Sequence, residues 1–289
     1  MANVVSLAQT NGTPTFSLAL GGGGARGLAH IHVLEVLDEM GIKPVAIAGS
    51  SIGAIMGAAY ASGMSGKEIR DYCLSVLTNR TEVMNRLWKL RPSGISGFIS
   101  GGFKLVPLDV EKVIAAFLPS GVAARFEDLS IPLTLTATDY YMQETRYLTE
   151  GNLRSAIAAS AAIPGVFKAV RRDSTILIDG GICDPVPFDI LTGKADYTIG
   201  IDVVGSPEGD VDKLPGTIES LFGASQLMMQ SIISMRLKIN QPAIFLRPPV
   251  NGFRVLDFLK VKAVLEASAP VREELKHALD AAMAFHGKA

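Results

Sequence analysis

Four consecutive glycines, Gly21 to Gly24, stand between the apolar run Phe16-Ser17-Leu18-Ala19-Leu20 and an amphipathic run that begins at Leu28. A short apolar run that ends in glycine and opens into a helical period reads as a buried strand, a tight loop and a helix. In an α/β sheet such a loop lies at the carboxyl edge, where amide hydrogens at the start of the helix favour negative charge. Two occupants follow from that placement. One is the phosphate of a cofactor; the other is an oxyanion that exists only during a reaction.

The same unit recurs once. Val45 to Ala48 reads as a second strand, Ile52 to Ala61 as a second helix, and Gly49-Ser50-Ser51-Ile52-Gly53 joins them. This is G-x-S-x-G in the strand–turn–helix setting of a nucleophile elbow. Glycines two positions either side let the backbone pass through a sharp turn, and the central hydroxyl then sits at a helix N-terminus. Ser51 is therefore the candidate nucleophile. Ser50 is a rival hydroxyl, set aside because Gly49 and Gly53 are centred on Ser51. A chance match in a chain with 29 glycines is the competing reading, and the flanking strand and helix argue against it. Gly53, Ala54, Gly57, Ala58 and Ala61 would let the helix press against the sheet.

Further strands are expected at Leu133–Thr138, Ile176–Ile178, Tyr197–Val204 and Ala243–Leu246. Helices are expected near Lys67–Leu77, Val110–Leu118, Leu153–Ala161, Thr217–Lys238 and Val271–Phe285, and the first helix ends at Gly41. Strands alternating with helices predict an α/β fold, a mostly parallel doubly wound sheet with helices on both faces. In a 289-residue chain with 48% hydrophobic residues this is one large core. Residues 1–14 read as a flexible N-terminus and 15–289 as a single domain, with the motifs in 16–204 and a helical part at 205–289. Val45–Met64 carries no charge over 20 residues, but its four glycines and three serines favour strand, turn and helix over a membrane span. Cys73 and Cys183 are the only cysteines and lack metal-ligand spacing, so free thiols are expected. With no basic, apolar leader at the N-terminus, a cytoplasmic location follows as the expectation. A net charge of −1 without basic runs argues against a nucleic-acid partner.

The cofactor reading of the loop has one match and one gap. Gly22-x-Gly24-x-x-Gly27 fits the dinucleotide fingerprint, yet the second strand ends in Gly49-Ser50-Ser51 rather than in an acid for the ribose. No glycine-rich loop ends in Gly-Lys-Ser/Thr. The oxyanion reading gives the amides of Gly22, Gly23 and Gly24 a place above the Ser51 hydroxyl, since two such loops at neighbouring strand ends would face one space.

A serine needs a base. Four histidines are present. On a helical wheel His32 joins Glu35, Asp38 and Glu39 on the polar face and is expected to be solvated. His30 falls with Val33, Leu34 and Leu37 and reads as a core histidine or a support beneath the loop. His277 lies in a charged helix and His286 near the end of the sequence given. An acid is better placed: Ile176-Leu177-Ile178 ends in Asp179-Gly180-Gly181, a carboxylate at a strand end followed by permissive backbone.

Gly22-Gly23-Gly24-Ala25-Arg26-Gly27, Gly49-Ser50-Ser51-Ile52-Gly53 and Asp179-Gly180-Gly181, in that order, resemble the motifs of the patatin-like phospholipases. Ala158-Ala159-Ser160-Ala161-Ala162-Ile163-Pro164-Gly165-Val166-Phe167 and Asp184-Pro185-Val186-Pro187 match as well, and the likeness covers about Phe16 to Val204. The compact bacterial type is the nearest in character. The resemblance implies lipid acyl hydrolase chemistry by a Ser–Asp dyad without histidine: Ser51 as nucleophile, Asp179 as base, and Gly22, Gly23 and Gly24 as oxyanion hole. It implies a bracing role for Arg26, supporting roles for Gly49, Gly53, Gly180 and Gly181, a lipid or acyl-ester substrate, and neither metal nor organic cofactor. The alternatives are a nucleotide-binding protein that uses the glycine loop, and a weakly active lipid-binding or interaction module on the same fold.

Two segments bear on substrate. Leu87–Val106 holds Trp88, four glycines and flanking Arg86, Lys89, Arg91 and Lys104, which suits an apolar flap touching a membrane surface transiently, or an ordinary surface loop. Thr217–Lys238 places Ile218, Leu221, Phe222, Met228, Ile232 and Met235 close to helical spacing. Core packing explains that stripe; a methionine-rich wall for an acyl chain is the sharper alternative.

Overall fold

The computed structural model describes residues 12–90, 107–209, 212 and 214–286. Strand β1 (Phe16–Leu20) runs through the glycine loop and a short 3-10 turn into α1 (His30–Glu39). Strand β2 (Ala46–Ser50) leads into α2 (Ile52–Ala61), which is followed by α3 (Gly66–Leu77) and α4 (Arg80–Lys89). After α5 (Val110–Phe117) come β3 (Leu133–Asp139) and its hairpin partner β4 (Glu144–Leu148), then α6 (Leu153–Ser160). Strands β5 (Val170–Arg172) and β6 (Thr175–Asp179) precede β7 (Tyr197–Ile201). The long α7 (Thr217–Ile239), β8 (Ile244–Leu246), α8 (Val261–Ser268) and α9 (Val271–His286) complete the described chain.

Local chemistry sets several boundaries. Gly41, at φ 65°, closes α1 in the left-handed region that glycine enters without strain. Ser65 and Glu68 form a reciprocal capping box on α3, and Asn79, Asp109 and Asn152 cap α4, α5 and α6 through their side chains. The stretch Val45–Met64 is a strand, a turn and a buried helix, and no helix of the described residues is long and apolar enough to cross a membrane.

Five strands, β3-β2-β1-β7-β8, are parallel neighbours in that order. The first three are buried along their whole length, as strands covered on both faces must be. The fold is thus the expected α/β sheet with helices on both faces, though the sheet is mixed. Three strands run otherwise than a simple parallel series: β4 and β6 are antiparallel to β3, and β5 is antiparallel to β6. The sequence reading missed β4 and β5 because Glu144-Thr145-Arg146-Tyr147-Leu148 is an exposed, polar edge and β5 has only three residues.

The reversal of β6 positions the site. Leu135 and Thr136 of β3 have β2 on one edge and β4 on the other, while Ala137, Thr138 and Asp139 have β4 and β6. Strands β2 and β6 therefore share one edge of β3 end to end, and their carboxyl ends meet. Two hydrophobic clusters flank the sheet. The larger joins Leu18, Leu20 and Ile47 to α1, α2, α6, α8 and α9; the smaller joins Ala19, Ala46 and Ala48 to Val186, Phe188, Leu191 and Ile233 of α7.

Candidate active site

Where β2 gives way to α2, Ser51 adopts φ 53° and ψ −118°, a left-handed backbone that costs a non-glycine residue about 1–3 kcal/mol. Such strain persists only where the surroundings enforce it. Gly53 is pressed so close to β1 that a Cβ there would lie 2.0 Å from the Leu20 carbonyl oxygen. Gly49 abuts Gly53 across the same turn, and Gly180 abuts Thr136 with no room for a side chain. The Ser51 amide donates to Ser160 Oγ at 2.9 Å, and Ser160 is fully buried at the end of α6. Ser160 is not among the site residues expected from the sequence; its signal there is the motif Ala158 to Phe167.

The turn delivers the Ser51 hydroxyl to Asp179, with Oγ donating to Oδ2 at 2.6 Å. Both residues are buried. The other carboxylate oxygen, Oδ1, accepts the Gly181 amide at 2.8 Å, and the Asp179 carbonyl accepts from Thr138 Oγ1. Burial raises the Asp179 pKa from 3.8 to about 6; the hydrogen bonds from Ser51 and Gly181 oppose that rise. At neutral pH the group is an ionised, poorly solvated carboxylate in contact with a hydroxyl, a pair able to take a proton from that hydroxyl.

The glycine loop lies beside it. A Cβ on Gly22 would sit 3.3 Å from Ser51 Cβ. The Gly22 amide, however, donates to the Pro185 carbonyl at 2.9 Å, which corrects the expectation of three free donors. Neither the Gly23 nor the Gly24 amide has a hydrogen-bond partner among the described residues. Gly24 needs its residue type: φ is 61°, and a Cβ would lie 2.2 Å from the Val255 carbonyl oxygen.

Two buried side chains hold the loop's carbonyls. Arg26 Nε donates to the Gly23 carbonyl at 3.2 Å, and its Nη1 donates to that of Phe253. A trans peptide directs its C=O and N–H to opposite sides. Fixing the Gly23 carbonyl therefore turns the Gly24 amide away from Arg26. Burial lowers the Arg26 pKa to about 10, against the pull of nearby Asp202, so the guanidinium stays charged at neutral pH. His30 Nε2 lies 2.9 Å from the Gly21 carbonyl. A carbonyl only accepts, so Nε2 carries the proton, and burial drives the ring's pKa down to about 4. His30 is thus a neutral support beneath the loop, one of the two roles expected for it.

His32 is not solvated. It is buried, with Nε2 2.7 Å from the Leu265 carbonyl and Nδ1 3.1 Å from Arg70. The helical wheel misled because the polar face of α1 is covered: Glu35 pairs with Arg70 and Arg272, and Glu39 with Arg272 and Lys276. His286 packs its ring against Tyr197, at the amino end of β7 and so at the opposite edge from Ser51. His277 is exposed on α9. Both cysteines are free.

The long helix α7 also departs from expectation. Ile218, Leu221, Met228 and Met235 are exposed rather than packed in the core. Met229 instead faces inward, its sulfur 3.3 Å from where a Cβ on Gly181 would sit. Arg236 of the same helix reaches Asp184 at 3.3 Å and Asp189 at 2.9 Å, and Tyr147 Oη donates to Asp184 Oδ2 at 3.3 Å. Burial raises the Asp184 pKa to about 6, with Arg236 opposing. This bridge between β4 and α7 escaped the sequence reading, because its three residues lie far apart along the chain. Of the segment Leu87–Val106, which suits a membrane-touching flap or an ordinary surface loop, residues 91–106 lie outside the described residues.

Comparison with known proteins places the chain in a family. An uncharacterized NTE family protein of Mycobacterium tuberculosis (strain H37Rv) is 39% identical over 198 residues, covering 68% of this chain and 51% of the relative. Patatin-like phospholipase domain-containing protein 7 of Rattus norvegicus is 29% identical, covering 86% of this chain and 20% of the relative. The chain thus spans about half the length of the mycobacterial relative and a fifth of the rat one. Among solved structures, VipD from Legionella pneumophila aligns over 93% of this chain and 67% of its own, with TM-score 0.48 and 12% identity. Residues 18–192, more than half of the chain, match the family described as Patatin-like phospholipase, and the chain belongs to that family.

Proposed function

We propose that this chain is a serine acyl-ester hydrolase acting on lipid esters through a Ser51–Asp179 dyad. The observation that carries the reading is the 2.6 Å hydrogen bond from a hydroxyl on a strained turn to a buried carboxylate. Asp179 takes the Ser51 proton as Oγ adds to the ester carbonyl carbon. The amides of Gly23 and Gly24 receive the negative oxygen that forms, a contribution worth about 10²–10³ in rate for one such donor. Collapse breaks the ester C–O bond, and Asp179 returns the proton to the departing alcohol. Water then repeats the sequence on acyl-Ser51 and releases the free acid. Family membership supports a lipid substrate. The flank of the glycine loop is occupied by the Val203 and Val255 backbone, which favours an oxyanion over a cofactor phosphate.

A fluorophosphonate probe tests the reading. The wild-type chain is expected to label once, at Ser51, and Ser51→Ala not at all. Equal labelling of both would move the nucleophile elsewhere and overturn the proposal.

A further inference from the structure

Four buried side-chain polar atoms of the described residues lack a hydrogen-bond partner: Arg26 Nη2, His30 Nδ1, Ser50 Oγ and Asp184 Oδ1. Three belong to groups engaged through other atoms or charges: Arg26 through Nε and Nη1, His30 through Nε2, and Asp184 through Arg236. Ser50 has one polar side-chain atom, and that atom bonds to nothing. Its side chain is fully buried. Native chains pair nearly all such groups, so a wholly unpaired hydroxyl asks for a role.

Its position supplies one. Ser50 follows Ala46 and Ala48 on the face of β2 that packs toward α7, while Ser51 opens α2 on the other face. A methyl-sized group on Gly22 would sit 3.6 Å from Ser50 Oγ and 3.3 Å from Ser51 Cβ. One on Gly181 would sit 3.8 Å from Ser50 Oγ and 3.0 Å from Asp179 Oδ1. The unpaired hydroxyl therefore borders the space between the serine turn, the carboxylate and the glycine loop.

We propose that Ser50 is a second working hydroxyl of this site, whose Oγ accepts a hydrogen bond from the water that hydrolyses acyl-Ser51; the proposal rests on the dyad reading above. In the acyl-enzyme Ser51 Oγ carries the acyl group and no longer donates to Asp179. The incoming water has two O–H bonds to direct. One proton passes to Asp179 as the water oxygen adds to the carbonyl carbon. The other O–H stays intact and points at Ser50 Oγ, which aims the lone pair at the carbon. When the tetrahedral adduct collapses, the C–Oγ bond of Ser51 breaks, Asp179 returns its proton to Oγ, and the carboxylic acid leaves. Acylation needs no water, so Ser50 acts in the second half of the cycle alone.

The test compares Ser50→Ala with wild type in two assays: the rate of fluorophosphonate labelling at Ser51, and steady-state hydrolysis of a p-nitrophenyl ester with the acyl-enzyme followed by intact mass. Ser50 Oγ has no partner to lose in the resting chain, so melting is expected to be unchanged or higher. Labelling is expected to proceed at the wild-type rate. Hydrolysis is expected to fall about 10–100-fold, the scale of a mispositioned reactant, with acyl-Ser51 accumulating. Ser50→Thr, which keeps the hydroxyl, is expected to recover most of the turnover, and Ser50→Val, of the same shape, is not. Labelling and hydrolysis falling together, or neither falling, overturns the proposal. So does equal turnover in the Thr and Val variants. A wild-type chain that neither labels at Ser51 nor forms acyl-Ser51 overturns the dyad reading itself, and the Ser50 proposal with it.

Discussion

Ser50 and Asp179 stand one position apart along the same edge of β3: Ser50 pairs in parallel with Thr136, and Asp179 pairs antiparallel with Ala137. A strand rising toward the carboxyl edge and a strand descending from it thus end against each other. The residue after Ser50 turns sharply into α2 and meets the Asp179 carboxylate across that junction. Backbone pairing to a shared neighbour, rather than a flexible loop, sets the approach of the hydroxyl to the carboxylate.

The raised Asp179 pKa gives a pH dependence. In the proposed dyad only the ionised carboxylate can accept the Ser51 proton, so kcat/KM for a neutral ester is expected to climb as pH rises through about 6 and then level. A pH–rate profile measures it. Asp179→Asn is expected to lower kcat by roughly 10³-fold or more and to erase that limb. A rising limb preserved in the Asn variant would assign the titration to another group.

The same burial predicts a gain in stability on removing the charge. The folded carboxyl holds its proton up to about 6, whereas the unfolded one releases it near 3.8. Between those values the folded state binds more protons, so its stability declines as pH rises through the window and stays lowered above it. Asn keeps a partner for Ser51 Oγ and for the Gly181 amide. Asp179→Asn is therefore expected to raise unfolding free energy at pH 8 by roughly 1–3 kcal/mol, with the gain shrinking toward pH 4. Denaturant titrations at the two pH values check it; a less stable variant at pH 8 contradicts the burial argument.

Backbone strain at position 51 separates two variants that both lack the proposed nucleophile. Ser51→Ala and Ser51→Gly both remove the hydroxyl, but only glycine relaxes at φ 53°. Ser51→Gly is expected to be the more stable by about 1 kcal/mol, read as a higher melting temperature. The reverse order would mean that Ser160 and the α2 packing leave the turn unstrained.

In the proposed site Arg26 is a positioning residue, acting through its hydrogen bond to the Gly23 carbonyl. Arg26→Met keeps much of the buried volume and removes the donor that orients the Gly23–Gly24 peptide. Turnover is expected to drop about 10–100-fold, and the melting temperature is expected to fall modestly because the Gly23 and Phe253 carbonyls lose their donor. A kcat falling with KM unchanged identifies the positioning role; wild-type kcat in a folded variant rules it out.

Much of the site was legible because its requirements are local. Gly24 and Gly53 announce themselves: one takes a left-handed φ, the other lies against the Leu20 carbonyl, and no other residue type satisfies either. Asp179 was legible as a carboxylate at the end of an apolar run. Its strand's direction was not, since Thr175–Asp179 has the same pattern whichever way it pairs. His32 was misread because a helical wheel knows one helix, and Leu265 and Arg70 arrive from two others. The amide of Gly22 reads as a free donor from the sequence, because the carbonyl that takes it belongs to Pro185, far along the chain.

By itself the sequence determined the glycine loop, the tight serine turn and the alternation of strand and helix, because short-range sterics and hydrophobic period dictate them residue by residue. The tertiary structure alone decided that β6 reverses to bring Asp179 to Ser51, 128 positions earlier, that Ser160 receives the strained amide from 109 positions away, and that Ser50 is left unpaired between them. Hydrogen-bond partners over such separations depend on how the strands share edges, and no local pattern of residues encodes that.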